Sequence, residues 1–192
     1  MIIKNVCVFC SSSNYVDETF YYQAELLGRF IASRQWGLVY GGTNVGLMGH
    51  IANAVLEGNS SVIGVIPKNI QAKGIENKDC TELIITDDLS ARKNTMINRS
   101  DVFVALPGGF GTLEEIMEVI TLKQLQLHNK PVIFLNTNNF YHSLFDFFEM
   151  IFSKSFTPDR FRDLYYDAPD IDAIENYLEN YVTPVFKNKW TA

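Results

Sequence analysis

Three short runs place small residues where a backbone could come close to a ligand. They are Ser11-Ser12-Ser13-Asn14, Gly41-Gly42-Thr43-Asn44-Val45-Gly46-Leu47-Met48-Gly49 and Pro107-Gly108-Gly109-Phe110-Gly111-Thr112. Each follows an apolar run that reads as a strand. Small side chains let backbone N–H groups approach an anion, and a helix that opens behind them aims its positive end at the same place. Thr112 adds a hydroxyl donor. A single glycine turn does no more than permit a tight bend. Three of them opening at one rim point to an anion site. None fits the dinucleotide pattern GxGxxG with its following acid, nor the P-loop GxxxxGK[ST]. A mononucleotide or a phosphorylated sugar suits these turns better than a dinucleotide or ATP.

Acids stand directly behind the third turn: Glu114, Glu115 and Glu118. Acids at a helix start complement its dipole by ~0.3–1 kcal/mol, which is the plain explanation. Neighbours on a helix point ~100° apart, so Glu114 and Glu115 cannot share a task. Glu115 and Glu118 share a face. A carboxylate beside a phosphate-binding turn opposes binding electrostatically, and such placement serves chemistry. Arg92 and Lys93 open the preceding helical segment. A solvated helix face explains them, but an arginine fork also suits a phosphate or a carboxylate.

Other reactive types form no constellation. Cys7 and Cys10 lie three apart in a strand and face opposite sides, which reads as core packing. His50, His128 and His142 show no metal-ligand spacing, so no metal site is expected. There is no GxSxG elbow and no Cys/His nucleophile pattern. No lysine stands in a pocket motif of the kind a pyridoxal enzyme needs.

The elements that must position these residues alternate along the chain. Strands are expected at 2–10, 37–40, 61–66, 82–86, 101–106 and 131–136, with a short one at 164–166. Asp17 caps a helix whose apolar face is Phe20, Ala24, Leu27 and Ile31. Leu47, Met48, Ile51, Ala52 and Val55 mark a second helix that ends near Gly58. Pro67 stops the third strand, and 68–81 is polar without a period and reads as a loop. Asp87 or Asp88 caps a helix running to about 100. Leu113, Ile116, Met117 and Ile120 carry the next, followed by an aromatic-rich helix at 141–152 and a last one at 171–181. Strands apolar on both faces, alternating with helices, imply an α/β fold: a Rossmann-like, doubly wound parallel sheet with helices on both faces.

Composition bounds the rest. The chain has 192 residues, which suits one domain spanning 1–192. It is 47% apolar and 20% charged, the balance of a globular protein. Its net charge of −6 disfavours a general nucleic-acid binder. No apolar run approaches the ~18–20 residues that cross a bilayer, and no membrane partner is expected. The start of the chain lacks a signal-peptide pattern. With an odd number of cysteines, this points to a reduced cytoplasmic protein.

Taken together, the turns resemble the LOG ("lonely guy") family of cytokinin riboside 5′-monophosphate phosphoribohydrolases, whose members were often labelled lysine decarboxylases. The family signature PGGxGTxxE matches Pro107, Gly108, Gly109, Gly111, Thr112 and Glu115. YGGxxxGLMG matches the run from Tyr40 to Gly49. Val6-Cys7-Val8-Phe9-Cys10 with Ser12-Ser13 resembles the family's opening strand and serine turn, and Arg92-Lys93 with Met96 resembles its RKxxM segment. The resemblance implies a modified Rossmann fold, a homodimer, and hydrolysis of the N-glycosidic bond of a nucleoside 5′-monophosphate without metal or organic cofactor. It makes Arg92 and Glu115 the catalytic pair. It places Lys93, Gly108, Gly109, Phe110, Gly111, Thr112, Leu113, Glu114 and Thr121 along the nucleotide.

Two departures bear on the base. Leu89-Ser90 stands where the family often has Met-His. A loop acid of many members falls here on Gly74, with Glu76 the nearest acid. The alternative function is a nucleotide-binding or carrier protein without catalysis, which the altered loop motivates and the intact Arg92 and Glu115 oppose. A single-strand DNA role is disfavoured by the acidic charge and the lack of a basic, aromatic stripe.

Overall fold

Runs of Val, Ile, Leu and Phe that are apolar on both faces can only be stable between two layers, and they become the strands of a central sheet. The computed structural model describes residues 1–184; the end of the expected 1–192 domain lies outside the described residues. The strands are β1 (Asn5–Phe9), β2 (Gly37–Tyr40), β3 (Val62–Pro67), β4 (Glu82–Thr86), β5 (Val102–Ala105), β6 (Val132–Leu135) and β7 (Tyr166–Ala168). They form one sheet in the order β4-β3-β2-β1-β5-β6-β7. Every pairing is parallel.

The helices are α1 (Glu18–Ser33), α2 (Gly46–Glu57), α3 (Lys68–Gln71), α4 (Leu89–Asn98), α5 (Phe110–Gln124), α6 (His142–Ser153) and α7 (Ile171–Glu179). They cover both faces. On one, Val8, Leu38, Val62 and Val104 of the sheet pack with Leu27, Ile31, Ile51, Val55 and Ile174. On the other, Phe9, Val39, Phe103 and Phe134 pack with Met96, Ile116, Val119 and Phe148. Cys7 and Cys10 fall into opposite cores, as the strand period requires.

The helix starts differ in a way that matters for binding. Asp17, Asp88 and Asp170 cap α1, α4 and α7, each accepting a backbone N–H from the first turn. α5 has Gly109 as its N-cap, which supplies no side-chain cap. At α2 the Gly46 N–H donates to Asn14 Oδ1 (2.8 Å) and the Leu47 N–H to the Ser11 carbonyl (3.0 Å). The serine turn therefore occupies the α2 donors, while the first-turn donors of α5 have no side chain to bind them among the described residues. Gly46 has φ +57, and a Cβ there would stand 2.6 Å from the Ser12 backbone, so only glycine allows this contact.

Three expectations are corrected. The stretch at 68–81 is not all loop: it begins with the single turn α3, too short to show a period. It is then laced to the β2–α2 turn by the Asn44 N–H to the Ile75 carbonyl, the Asn77 N–H to the Gly42 carbonyl (both 2.9 Å), and a bridge between Thr43 and Glu76. The turn after β5 is shorter than expected, because α5 starts at Phe110. The last strand lies at Tyr166–Ala168, since Asp159–Leu164 winds into a 3₁₀ turn that sinks Phe161 and Leu164 into the core. Pro67 is the last residue of β3 and lacks the N–H that would continue the ladder.

Candidate active site

The strand order reverses at β1, which lies between β2 and β5. In open α/β sheets the crevice for a ligand lies at such a switch point, beyond the carboxyl ends of the strands. A cleft of about 490 Å³ occupies that place. Cys10, Ser11, Ser12 and Ser13 line it from β1, and Gly41, Thr43 and Met48 from the β2–α2 turn. Gly109, Phe110, Gly111, Thr112 and Glu115 line it from the start of α5. The three small-residue turns thus share one cleft. Ile70, Lys73 and Ile75 close one wall, and Arg92 reaches in from α4.

Arg92 and Glu115 meet at the floor. Arg92 is 9% exposed and Glu115 5%. Arg92 Nε donates to the Val65 carbonyl at 3.1 Å, and Nη1 lies 3.1 Å from Glu115 Oε1. Gly41 makes room for the guanidinium, because a Cβ there would collide with Nη2. Burial raises the Glu115 carboxyl above its ordinary range, and Arg92 only partly offsets this. A carboxylate held in this way is a good proton acceptor and a counter-charge for a developing cation. Above it, a Cβ on Gly109 or Gly111 would meet no atom within 4 Å, so both face open space. Thr112 is buried beneath them and Phe110 is exposed at the mouth.

The remaining residues singled out in the sequence lie outside the cleft lining. Lys93 points away from Arg92, as adjacent helical positions must. Its ammonium is bound by Glu114 and, at 2.7 Å, by Glu118, which raises its pKa. Gly108 borders a small apolar hollow behind the turn with Phe20, Leu47 and Phe140. Leu113 packs on the core. Thr121 donates to the Met117 carbonyl (2.8 Å) and lines a groove between α5 and α6. On the β3–β4 loop, Gly74 has φ +70. Leu89 is exposed at the start of α4. Glu76 lies 3.9 Å from Lys78 and does not line the cleft.

Sequence reasoning missed Ile70, Lys73 and Ile75. The loop residues carry no period, so no signal pointed to them. It also missed Lys123, which is fully buried at the far end of α5. Here a signal existed, since Lys123 continues the stripe of Ile116 and Ile120 at helical spacing. Burial pushes the Cys7 and Cys10 thiols up, away from thiolate chemistry. His50 binds Glu25 (2.9 Å), His128 the Val119 carbonyl (2.9 Å), and His142 lies 3.6 Å from Asp146. Among the described residues no cluster of His, Cys, Asp or Glu has a metal-binding arrangement, and no helix is long and apolar enough to cross a membrane.

Comparison with known proteins gives this cleft a context. A family model described as "Possible lysine decarboxylase" matches residues 48–178. A rice protein (Oryza sativa subsp. japonica) named probable cytokinin riboside 5′-monophosphate phosphoribohydrolase LOGL9 is 42% identical over 93% of this chain and 79% of its own. An Arabidopsis thaliana relative, cytokinin riboside 5′-monophosphate phosphoribohydrolase LOG1, is also 42% identical, over 93% of this chain and 84% of its own. Among solved structures, the molybdenum cofactor carrier protein of Chlamydomonas reinhardtii superposes with a TM-score of 0.71 at 24% identity, over 92% of this chain and 96% of that one, which shows the shared fold. Extensive identity with these relatives, together with the family model across most of the sheet and the whole of α5, shows that the chain belongs to the LOG family.

Proposed function

We propose that this protein is a nucleoside 5′-monophosphate phosphoribohydrolase. It cleaves the N-glycosidic bond of AMP or an N6-modified AMP, such as a cytokinin riboside 5′-monophosphate, and releases the free base and ribose 5-phosphate. The observation that carries this reading is the buried Arg92–Glu115 pair directly beneath the uncapped start of α5. The names of the relatives, at 42% identity, support the same reaction.

The backbone N–H groups of 109–112 and the Thr112 hydroxyl receive the 5′-phosphate, since a helix N-terminus favours negative charge. That grip places the ribose over Glu115. As the C1′–N bond lengthens, C1′ and the ring oxygen gain positive charge, which the Glu115 carboxylate stabilises. Water adds to C1′ and gives its proton to Glu115. The departing base takes the bonding electron pair and a proton from solvent, and Glu115 returns its own proton to solvent. Arg92 holds the carboxylate in position and keeps it ionised against burial. Lys93, bound to Glu114 and Glu118, fixes the first turns of α5. Gly108 and Leu113 support the turn from behind.

The homodimer and the cytoplasmic setting belong to the same proposal. Exposed apolar side chains, Phe147 and Met150 on α6 and Phe156 after it, support a subunit contact. The free cysteines 7, 10 and 80 fit a reducing compartment.

The test is incubation with AMP and with isopentenyladenosine monophosphate, followed by chromatography, with Glu115→Ala alongside. Free base and ribose 5-phosphate, absent with the variant, are expected. Binding of nucleotide without release of base would refute hydrolysis and leave a carrier.

A further inference from the structure

Three charged side chains line the cleft: Arg92, Glu115 and Lys73. The first two neutralise each other at 3.1 Å. The other lysines nearby are also occupied. Lys93 is held by Glu114 and Glu118, and Lys68 pairs with Asp87 at 2.5 Å. Lys73 has no ion pair and no side-chain hydrogen bond among the described residues. It is therefore the one charge on the lining that the fold itself does not match.

Its position says what it meets. The α5 side of the cleft offers backbone donors for a phosphate. The wall that carries Lys73 also carries Ile70 and Ile75, Met48 lines the same cleft, and these side chains suit the flat apolar faces of a base. Gly74, next in the chain, adds no side chain to compete, and nothing lies within 4 Å of where its Cβ would be. An ammonium offers three donors and no acceptor. A 6-oxopurine presents two acceptors side by side, O6 and N7. A 6-aminopurine presents N7 beside a donor.

Resting on the nucleotide-hydrolase reading, we propose that Lys73 is a specificity-determining residue that donates to the O6/N7 edge of the base and extends the substrate range to 6-oxopurine nucleoside 5′-monophosphates.

The test compares kcat/KM for IMP, GMP and AMP in the wild type and in Lys73→Met, Lys73→Glu and Lys73→Arg. Lys73 is exposed, so the variants are expected to fold, and their melting curves check this. The IMP-to-AMP ratio is expected to fall at least about fivefold in Lys73→Met, further in Lys73→Glu, and to be kept by Lys73→Arg. An equal loss on all three nucleotides would assign Lys73 to the phosphate and overturn the proposal, as would an unchanged ratio. Cleavage of isopentenyladenosine monophosphate alone would overturn the proposal, whereas cleavage of neither it nor these three means that the hydrolase reading fails on its own. Calorimetric binding of IMP and AMP to the wild type and Lys73→Glu then decides the role of Lys73 by the same ratio.

Discussion

Arg92 and Glu115 stand on different helices with β5 between them in the chain, yet their side chains meet at 3.1 Å beneath the glycine turn. The pair is almost dry. In such surroundings an ion pair adds little net stability, whereas removing one partner strands the other as a buried charge. A fold would gain as much from two apolar residues here, which supports the catalytic role proposed for the pair.

Glu115→Gln keeps the shape of the side chain and removes its charge. Turnover is expected to fall ~10²–10⁴-fold while the dissociation constant for nucleotide changes little. Single-turnover kinetics beside calorimetry measures both. A parallel loss in binding and turnover would make Glu115 a ligand-binding residue only.

The acid limb of the rate profile follows from the same residue. Burial raises the Glu115 pKa above its ordinary 4.5, and Arg92 opposes the rise. Activity that needs the carboxylate is therefore lost on acidification at a pH above 4.5, and Arg92→Met moves the limb higher still. The stability link has the opposite sense. A raised carboxyl contributes stability below its unfolded pKa, and this is lost as pH rises through the folded value. Plots of kcat/KM and of melting temperature against pH read the two effects separately.

Two glycine substitutions should separate the floor of the cleft from its phosphate side. Gly41→Ala pushes a methyl into the Arg92 guanidinium and stands 3.1 Å from the Met48 sulfur. It is expected to cost ~1–3 kcal/mol of stability and at least tenfold in kcat. Gly109→Ala meets no protein atom within 4 Å and fills only the space assigned to the phosphate. It should raise KM and leave the melting temperature unchanged.

Lys123 offers a gain in stability. Its ammonium is buried without a hydrogen-bond partner among the described residues, 5.4 Å from the Tyr181 ring. Burial lowers its pKa from 10.5 to about 8. The folded state thus binds fewer protons than the unfolded one between these values. The penalty is complete below about pH 8 and disappears as pH rises towards 10.5. Lys123→Met should stabilise the protein at pH 7 by on the order of 1–3 kcal/mol, with the gain shrinking towards pH 10. Thermal denaturation across that range checks both the sign and the trend.

Much of this was legible in the chain. Gly37–Tyr40 and Glu82–Thr86 are strands with the expected limits, because apolar runs bounded by turn residues define them locally. Of the two expected candidates, Asp87 and Asp88, it is Asp88 that caps α4. The glycine turns could be read as backbone meant to face a ligand. What could not be read were relations across the sheet. Nothing local brings Arg92 to Glu115, and although the helix turn sends Lys93 away from Arg92, nothing local shows that Glu114 and Glu118 wait for it there. Ile70, Lys73 and Ile75 reach the cleft because their loop is tied to a turn about thirty residues earlier, a tie that neither composition nor period records.

That tie is made by the main chain. The Asn44 and Asn77 amides and the Ile75 and Gly42 carbonyls hold the loop, and none of these bonds depends on which side chains stand at 70, 73 or 75. The wall that carries these residues, proposed to face the base, can therefore drift in sequence while its frame and the Arg92–Glu115 pair stay put. Evolution, or an engineer grafting one loop, can change what is cut without relearning how to cut it.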